Sequence, residues 1–250
     1  MPFYERQEKI LNALLEKDTM PIQELSKKLY VSMPTLRRDL IKLEQMGKIV
    51  RTHGGARLLK TPGDKQIPLL LREQEGSSAK AVMGQKAAQL VKDGDIIMLD
   101  ASTSAYNVIP YLSGFNNLIV ITSSAKAALL LGQMGITTIC TGGRMITHSF
   151  AFIGDDAEHT ARSYNADILF FSCRGVSMDG RLTDKSVEEN ALRKVMMGQC
   201  AKKVLLCDSS KLGHTFLNTL CHLRDVDDMI CEAPIPETLS QHLQDRKSVV

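Results

Sequence analysis

Four short β-rich runs each break off into polar side chains. Ile-Ile-Met-Leu-Asp100 continues into Ser102-Thr103-Ser104, and Ile-Val-Ile-Thr122 into Ser123-Ser124. Thr-Ile-Cys-Thr141 continues into Gly142-Gly143-Arg144, and Leu-Leu-Cys-Asp208 into Ser209-Ser210-Lys211. Hydroxyls and backbone N–H groups at such turns can cradle a phosphate, with Arg144 or Lys211 supplying charge. Carboxylates such as Asp100 and Asp208 can instead accept hydrogen bonds from sugar hydroxyls. Each Ser or Thr taken singly reads as an ordinary helix N-cap. Open parallel sheets, however, bind ligands outside the carboxyl ends of their strands, so the repetition points to one shared site. A second constellation lies near the N-terminus, where Ser32, Thr35, Arg37, Arg38 and Lys42 fall on the polar face of one helical segment. Arg pairs bidentately with guanine O6 and N7, and Ser, Thr and Lys serve as base or phosphate partners. Arg51, His53 and Arg57 follow on a hairpin that can reach an adjacent groove or phosphates.

These side chains need elements to hold them. Ile10, Leu11, Leu14 and Leu15 recur at helical spacing within 4–15, and Lys17 to Pro21 interrupts the pattern. Ile22, Leu25 and Leu29 mark a second, short helix. Ser32 is a suitable N-cap with Pro34 just inside the third helix, whose stripe is Leu36, Leu40, Ile41, Leu43 and Met46, and Gly47 ends it. Lys48 to Arg51 and Ala56 to Leu58 read as strands around a His53-Gly54-Gly55 turn. Three helices and a hairpin make a winged helix-turn-helix, expected over 1–60. Pro62, Gly63, Pro68 and Gly76 place a linker at 61–78. From 79 to 250 helices (79–91, 104–112, 124–134, 155–162, 187–200, 236–244) alternate with strands (96–99, 118–121, 137–140, 168–171, 204–207, 229–231). The fold class is therefore α/β with a mainly parallel sheet behind the N-terminal module.

Composition limits what these elements can do. The chain has 250 residues, 44% hydrophobic and 24% charged, which supplies a core and excludes wholesale disorder. Its longest apolar run, Ala127 to Leu131, is far below the ~18 residues of a membrane span, so no membrane partner is expected. Glu5, Arg6, Glu8 and Lys9 enter at once without a signal-peptide core, and the expected compartment is the cytoplasm. Net charge is only +3, but residues 1–60 carry 12 Lys/Arg against 7 Asp/Glu while the remainder carries 19 against 21. A basic module on a near-neutral body suits contact between one end and a polyanion. A solvated basic face, or a small helical domain that binds protein, would show the same charge.

The six cysteines form no CxxC pair and read as reduced core thiols. Cys207, Cys221, His222 and Cys231 fit no structural-zinc spacing, so neither metal nor cofactor is expected. Neither GxGxxG nor GxxxxGK[ST] occurs, nor HExxH or GxSxG. The 12 methionines scatter through helical segments as core filler, and His148, His159 and His214 read as surface or loop residues.

The block Val-Ser-Met-Pro-Thr-Leu-Arg-Arg-Asp-Leu (31–40), with Leu-Glu-Gln-Met-Gly (43–47) and Arg-Thr-His-Gly-Gly-Ala (51–56), resembles the DeoR family of bacterial sugar-metabolism repressors. The resemblance continues through Asp93-Gly94-Asp95 to Ser104, Gly142-Gly143-Arg144, Gly180 to Asp184, Glu188-Glu189 and Asp208 to Gly213, covering residues 3 to 232. It implies that Thr35, Arg37 and Arg38 contact operator DNA and that His53-Gly54-Gly55 forms the wing. It also implies a sensor domain similar in fold to ribose-5-phosphate isomerase that binds a phosphorylated sugar or related metabolite. Carried over by motif, the effector residues are Asp100, Ser102, Thr103, Ser104, Thr122, Ser123, Gly142, Gly143, Arg144, Asp184, Glu188, Asp208 and Lys211. Met33-Pro34 is a variable pair. Arg193 stands where Lys is common, and Cys173-Arg174 where small or polar residues are usual.

Two functions compete for this sequence, while a third reading, a noncatalytic scaffold, leaves the polar strand ends unexplained. One is a ligand-responsive regulator, a repressor of a carbohydrate operon, acting on duplex DNA as a homodimer or homotetramer. The other is a sugar-phosphate isomerase-like enzyme with Asp100, Asp184 or Glu188 as general base and Lys211 holding phosphate. The N-terminal module separates them, since an isomerase has no use for it.

Overall fold

The computed structural model describes residues 3–17, 19–45, 49–52, 54–58 and 76–243. The chain divides into two compact units, Met1–Ile67 and Pro68–Val250. The expected linker at 61–78 lies outside the described residues up to 75, as do Met46, Gly47 and His53.

The first unit runs α1 (Phe3–Glu16), β1 (Thr19–Pro21), α2 (Ile22–Leu29), α3 (Met33–Gln45), β2 (Ile49–Thr52) and β3 (Gly55–Leu58). Helical spacing gives each helix one apolar face, and Ile10, Leu11, Leu14, Leu25, Leu36, Leu40 and Leu43 are all buried. Two details depart from the sequence reading. The segment read as a break after α1 contributes β1, which pairs antiparallel with β3 to complete a β1-β3-β2 sheet. Gly55 permits the approach, because a Cβ there would lie 2.3 Å from the Met20 carbonyl oxygen. Ile41, counted in the apolar stripe, is exposed, and Asp39 is buried instead. Its carboxylate is satisfied by Arg6 Nε at 2.7 Å and Arg6 Nη2 at 3.1 Å.

The second unit begins with α4 (Ser77–Ala88), β4 (Ile96–Leu99), α5 (Thr103–Tyr106), β5 (Ile119–Thr122), α6 (Ala125–Gln133) and β6 (Thr137–Cys140). A hairpin of β7 (Arg144–Ile146) and β8 (Ala151–Ile153) leads to α7 (Asp155–Arg162) and β9 (Ala166–Phe171). There follow β10 (Gly175–Val176), β11 (Arg181–Asp184), α8 (Val187–Gly198), β12 (Cys200–Leu206), β13 (Asn218–His222), β14 (Asp228–Ile230) and α9 (Glu237–Ser240). Six strands form one sheet in the order β14-β12-β9-β4-β5-β6, and every pairing in it is parallel. A separate antiparallel sheet has the order β10-β11-β13.

The central strands read as unbroken apolar runs because both faces are covered. Met98 enters the core on one face with Leu169, Phe171 and Leu205, while Ile97 and Leu99 enter the other with Phe170 and Val204. Strand order also locates the ligand face. From β4 the chain steps outward to β5 and β6, then returns to the other side of β4 with β9 and continues to β12 and β14. The carboxyl ends of β4 and β9 therefore flank a topological switch point, where open α/β sheets bind ligands.

Several helices are shorter than their periodicity suggests. The segment 104–112 splits into α5 and a 3₁₀ turn at Ile109–Tyr111, since Pro110 has no N–H to continue the ladder. The segment 236–244 likewise becomes α9 and a 3₁₀ turn at Gln241–Leu243. Helix α8 stops at Gly198, and Cys200 already begins β12. Among the described residues no helix is long and apolar enough to cross a membrane, and no His/Cys/Asp/Glu group can hold a metal ion. All six cysteines are free thiols. Burial pushes the Cys221 thiol up to about 12 and those of Cys200 and Cys231 up to about 11, so they pack as neutral groups.

Candidate functional site

In the N-terminal unit, burial of Leu36, Asp39, Leu40 and Leu43 turns the opposite face of α3 outward. Ser32, Arg37, Arg38 and Lys42 are exposed there, and the hydroxyls of Ser32 and Thr35 lie 2.9 Å apart. Arg57 on β3 is also exposed. Arg51 is tied back to α3, where Glu44 accepts its Nε at 2.6 Å and its backbone N–H at 3.1 Å. Those bonds from Arg51 hold the Glu44 carboxyl below its ordinary pKa. His53 lies outside the described residues.

In the second unit a cavity of about 560 Å³ opens at the switch point, within the ~300–1,000 Å³ of small-molecule sites. Ser102 and Thr103 reach it from the end of β4, Ser172 to Arg174 from the end of β9, and Asp208 to Lys211 from the end of β12. Asp184, Glu189, Arg193, His214, Phe216 and Glu232 also line it, with Lys80 from α4. Lys211 Nζ links three of these strand ends: it donates to Ser172 Oγ at 2.9 Å and Ser104 Oγ at 3.3 Å, and it pairs with Asp208 Oδ2 at 3.1 Å. Burial opposes the Lys211 charge, but Asp208 outweighs it and its pKa lies above the ordinary value. Burial likewise opposes the Asp208 charge, and Lys211, Ser210 and Lys80 together hold that carboxyl below its ordinary value.

Arg193, at the edge of the cavity, is a buried hub. Its Nε donates to Asp100 at 2.8 Å and its Nη1 to Asn190 Oδ1 at 2.6 Å, while Asp184 lies at 3.4 Å and Glu189 at 3.8 Å. Burial disfavours the guanidinium charge, yet these carboxylates raise its pKa further. Asp100 also accepts the backbone N–H groups of Ser102 at 3.0 Å and Ser172 at 3.3 Å, pinning the ends of β4 and β9 together. Arg174 differs from its neighbours. Its backbone N–H is used by Thr183, but its guanidinium lines the cavity without a hydrogen bond or ion pair to another described side chain.

The structure brings together Ser102, Thr103, Asp184, Asp208 and Lys211 on the cavity, with Ser104 and Asp100 directly behind them. The other residues named from the sequence sit elsewhere. Thr122 donates to the Leu99 carbonyl at 2.9 Å and accepts from Ser124 N–H at 3.1 Å, so its hydroxyl is consumed within the sheet. Ser123 is buried, and its carbonyl accepts from Phe152 N–H at 2.7 Å. Gly142 and Gly143 turn the chain into the β7-β8 hairpin; Gly143 has φ +93, and a Cβ there would lie 2.6 Å from the Ile153 carbonyl oxygen. Arg144 and Glu188 form an exposed ion pair with each other. The N-cap reading of the hydroxyls also has a place, since Ser102, Ser124 and Ser186 accept from the N–H three residues on. Sequence reasoning missed Ser172, Glu189, Phe216 and Glu232 and gave His214 no role. Of these only Ser172, directly after an apolar strand, carries a local signal.

The family models agree with this two-part layout. The DeoR-like helix-turn-helix domain matches residues 6–62, and the DeoR C-terminal sensor domain matches residues 75–233. YulB of Bacillus subtilis, an HTH-type transcriptional regulator, is 34% identical over 97% of this chain and 94% of its own length. GolR of Listeria innocua, also an HTH-type transcriptional regulator, is 34% identical over 97% of this chain and 95% of its own length. The HTH-type transcriptional repressor GlcR of Bacillus subtilis is 30% identical over 98% and 94%. Among solved structures, eIF2B delta from Chaetomium thermophilum shares the fold at TM-score 0.50 and 17% identity, over 66% of this chain and 59% of that one. Ribose 5-phosphate isomerase A of Methanocaldococcus jannaschii aligns at TM-score 0.42 and 22% identity over 55% of each chain. A helix-turn-helix module joined to a sensor domain, shared over nearly the full length with transcriptional regulators, favours the regulator over the isomerase: the chain belongs to the DeoR family of helix-turn-helix transcriptional regulators.

Proposed function

We propose that this protein represses a carbohydrate-utilisation operon and releases its operator when a phosphorylated sugar or related metabolite fills the sensor cavity. In this reading residues 1–60 read DNA, 61–78 link and 79–250 sense. Ser32, Thr35, Arg37, Arg38, Lys42 and Arg57 face the duplex, joined by His53 and, once released from Glu44, Arg51. The observation that carries the effector class is the cavity lining. Arg174 and Lys211 offer cations to a phosphate, while Ser102, Ser172, Asp184, Asp208 and Glu232 offer hydroxyls and carboxylates to a polyol. The repressor sign is supported by the kinship with GlcR.

A thermal-shift panel of hexose and pentose phosphates, each beside its unphosphorylated sugar, tests this reading. A ligand that binds only the native state stabilises it by about 2.7 kcal/mol at a hundredfold excess over Kd. The expected result is a raised midpoint for a phosphorylated compound alone, and the same compound should release the protein from its own upstream DNA in an electrophoretic shift. A response to neutral sugars with none to their phosphates would overturn it.

A further inference from the structure

Tyr30 occupies the turn between α2 and α3 in a conformation that tyrosine rarely adopts. It ends α2 with φ +53 and ψ 41, in the left-handed region, where a residue with a Cβ meets its own following carbonyl. The turn is locked around it: the N–H groups of Tyr30 and Val31 both point at the Ser26 carbonyl, and Ser26 Oγ donates to the Val31 carbonyl at 2.7 Å. Glycine or asparagine would sit there with less strain. Packing within the described residues does not repay the strain, since Tyr30 is 96% exposed, the most exposed of the large hydrophobic side chains among them. A large amphipathic ring held in solvent on a strained backbone marks a contact made only in a complex.

Its surroundings say which complex. Lys27 and Lys28 are exposed on the last turn of α2, and Ser32, Arg37 and Arg38 are exposed at the start of α3, so the ring stands between two groups of cations and donors. A negative backbone meets that surface, and Tyr is among the side chains that donate to phosphate oxygens. We infer that the Tyr30 phenol donates a hydrogen bond to a phosphate of duplex DNA and sets the angle at which α3 enters the groove. The inference rests on the DNA-binding role of this unit and adds a residue to its contact face.

The test uses the full chain and a random-sequence duplex, because a phosphate contact does not depend on sequence. Fluorescence anisotropy over a salt series is measured for the parent, Tyr30→Phe, Tyr30→Gly and, as a control, Arg38→Ala. Both Tyr30 variants should bind about tenfold more weakly, the worth of one hydrogen bond to a charged group. The slope of log affinity against log salt should be unchanged by them, since a neutral phenol displaces no counterion, whereas Arg38→Ala should flatten it. Tyr30→Gly should at the same time raise the thermal midpoint by relieving the left-handed strain. Parent-like affinity in Tyr30→Phe overturns the inference, and so does a lowered midpoint in Tyr30→Gly, which would mean that the ring packs against this chain. Failure of the parent itself to bind any duplex would instead remove the DNA-binding role on which the inference stands.

Discussion

Three side chains of the sensor unit do different work, and substitution separates them. Arg174 lines the cavity with no side-chain partner among the described residues, so Arg174→Ala should weaken a phosphorylated effector by roughly 1.5–3 kcal/mol while leaving stability near that of the parent. Isothermal titration against the compound found by thermal shift measures the first, and urea unfolding the second. Lys211→Ala should lose a similar amount of effector affinity and also stability, because Asp208 and Ser172 lose their partner; operator binding without effector should stay near the parent's. Arg193 makes no ligand contact in this reading. Arg193→Met leaves Asp100, Asp184 and Glu189 buried and uncompensated, and should cost about 3–5 kcal/mol in urea unfolding. The Asp208–Lys211 pair also sets a pH window. The depressed Asp208 pKa gives stability that is present above the ordinary carboxylate value and lost as pH falls through the folded one. The raised Lys211 pKa gives stability that is present below the ordinary lysine value and lost as pH rises through the folded one. Asp208→Asn should therefore be less stable than the parent at neutral pH and show a shallower loss in acid, as measured by urea midpoints from pH 7 down to about pH 3.

At the scale of elements, α3 shows how one helix serves two masters. Its inward residues are legible from period alone, except that Asp39 replaces Ile41 at the core because Arg6 arrives from α1 to neutralise it. The salt bridge is a contact between residues 33 positions apart, which no local pattern can announce. Arg37→Ala and Arg38→Ala should each be nearly neutral for folding, and whichever arginine reads a guanine should cost about 1–3 kcal/mol of operator affinity in anisotropy titrations. The short strands were illegible for a different reason. β7, β8 and β10 have three residues or fewer, too few to display an alternating period, and β11 and β13 find each other across 185–217 through a register shift at Leu182 and Thr183. The long apolar strands and the Ser-capped helices were legible because burial on two faces and capping are local demands.

For the whole molecule, one recognition helix reads only a few base pairs, so the working form is expected to be a dimer or tetramer with half-sites about one helical turn apart. Light scattering of the protein free and on its operator checks this, and a monomer in both states would refute it. The amino-acid sequence by itself determined the two-part plan, the basic module, the six strands of the large sheet and the polar character of their carboxyl ends. These follow from periodicity, charge and turn chemistry, each of which acts over a few residues. Which polar ends share a cavity was decided only by the order β14-β12-β9-β4-β5-β6. Neighbouring parallel strands stand about 4.8 Å apart, so the ends of β4, β9 and β12 lie within reach of one lysine. The end of β6 is two strands from β4 on the far side, and its Gly142-Gly143-Arg144 turn serves a hairpin instead. Strand order is fixed by how the helices pack on the two faces and by which way the chain crosses over. The spacing of residues along the sequence carries no record of it, and for that reason Ser172 and Arg174 take their place in the cavity only in three dimensions.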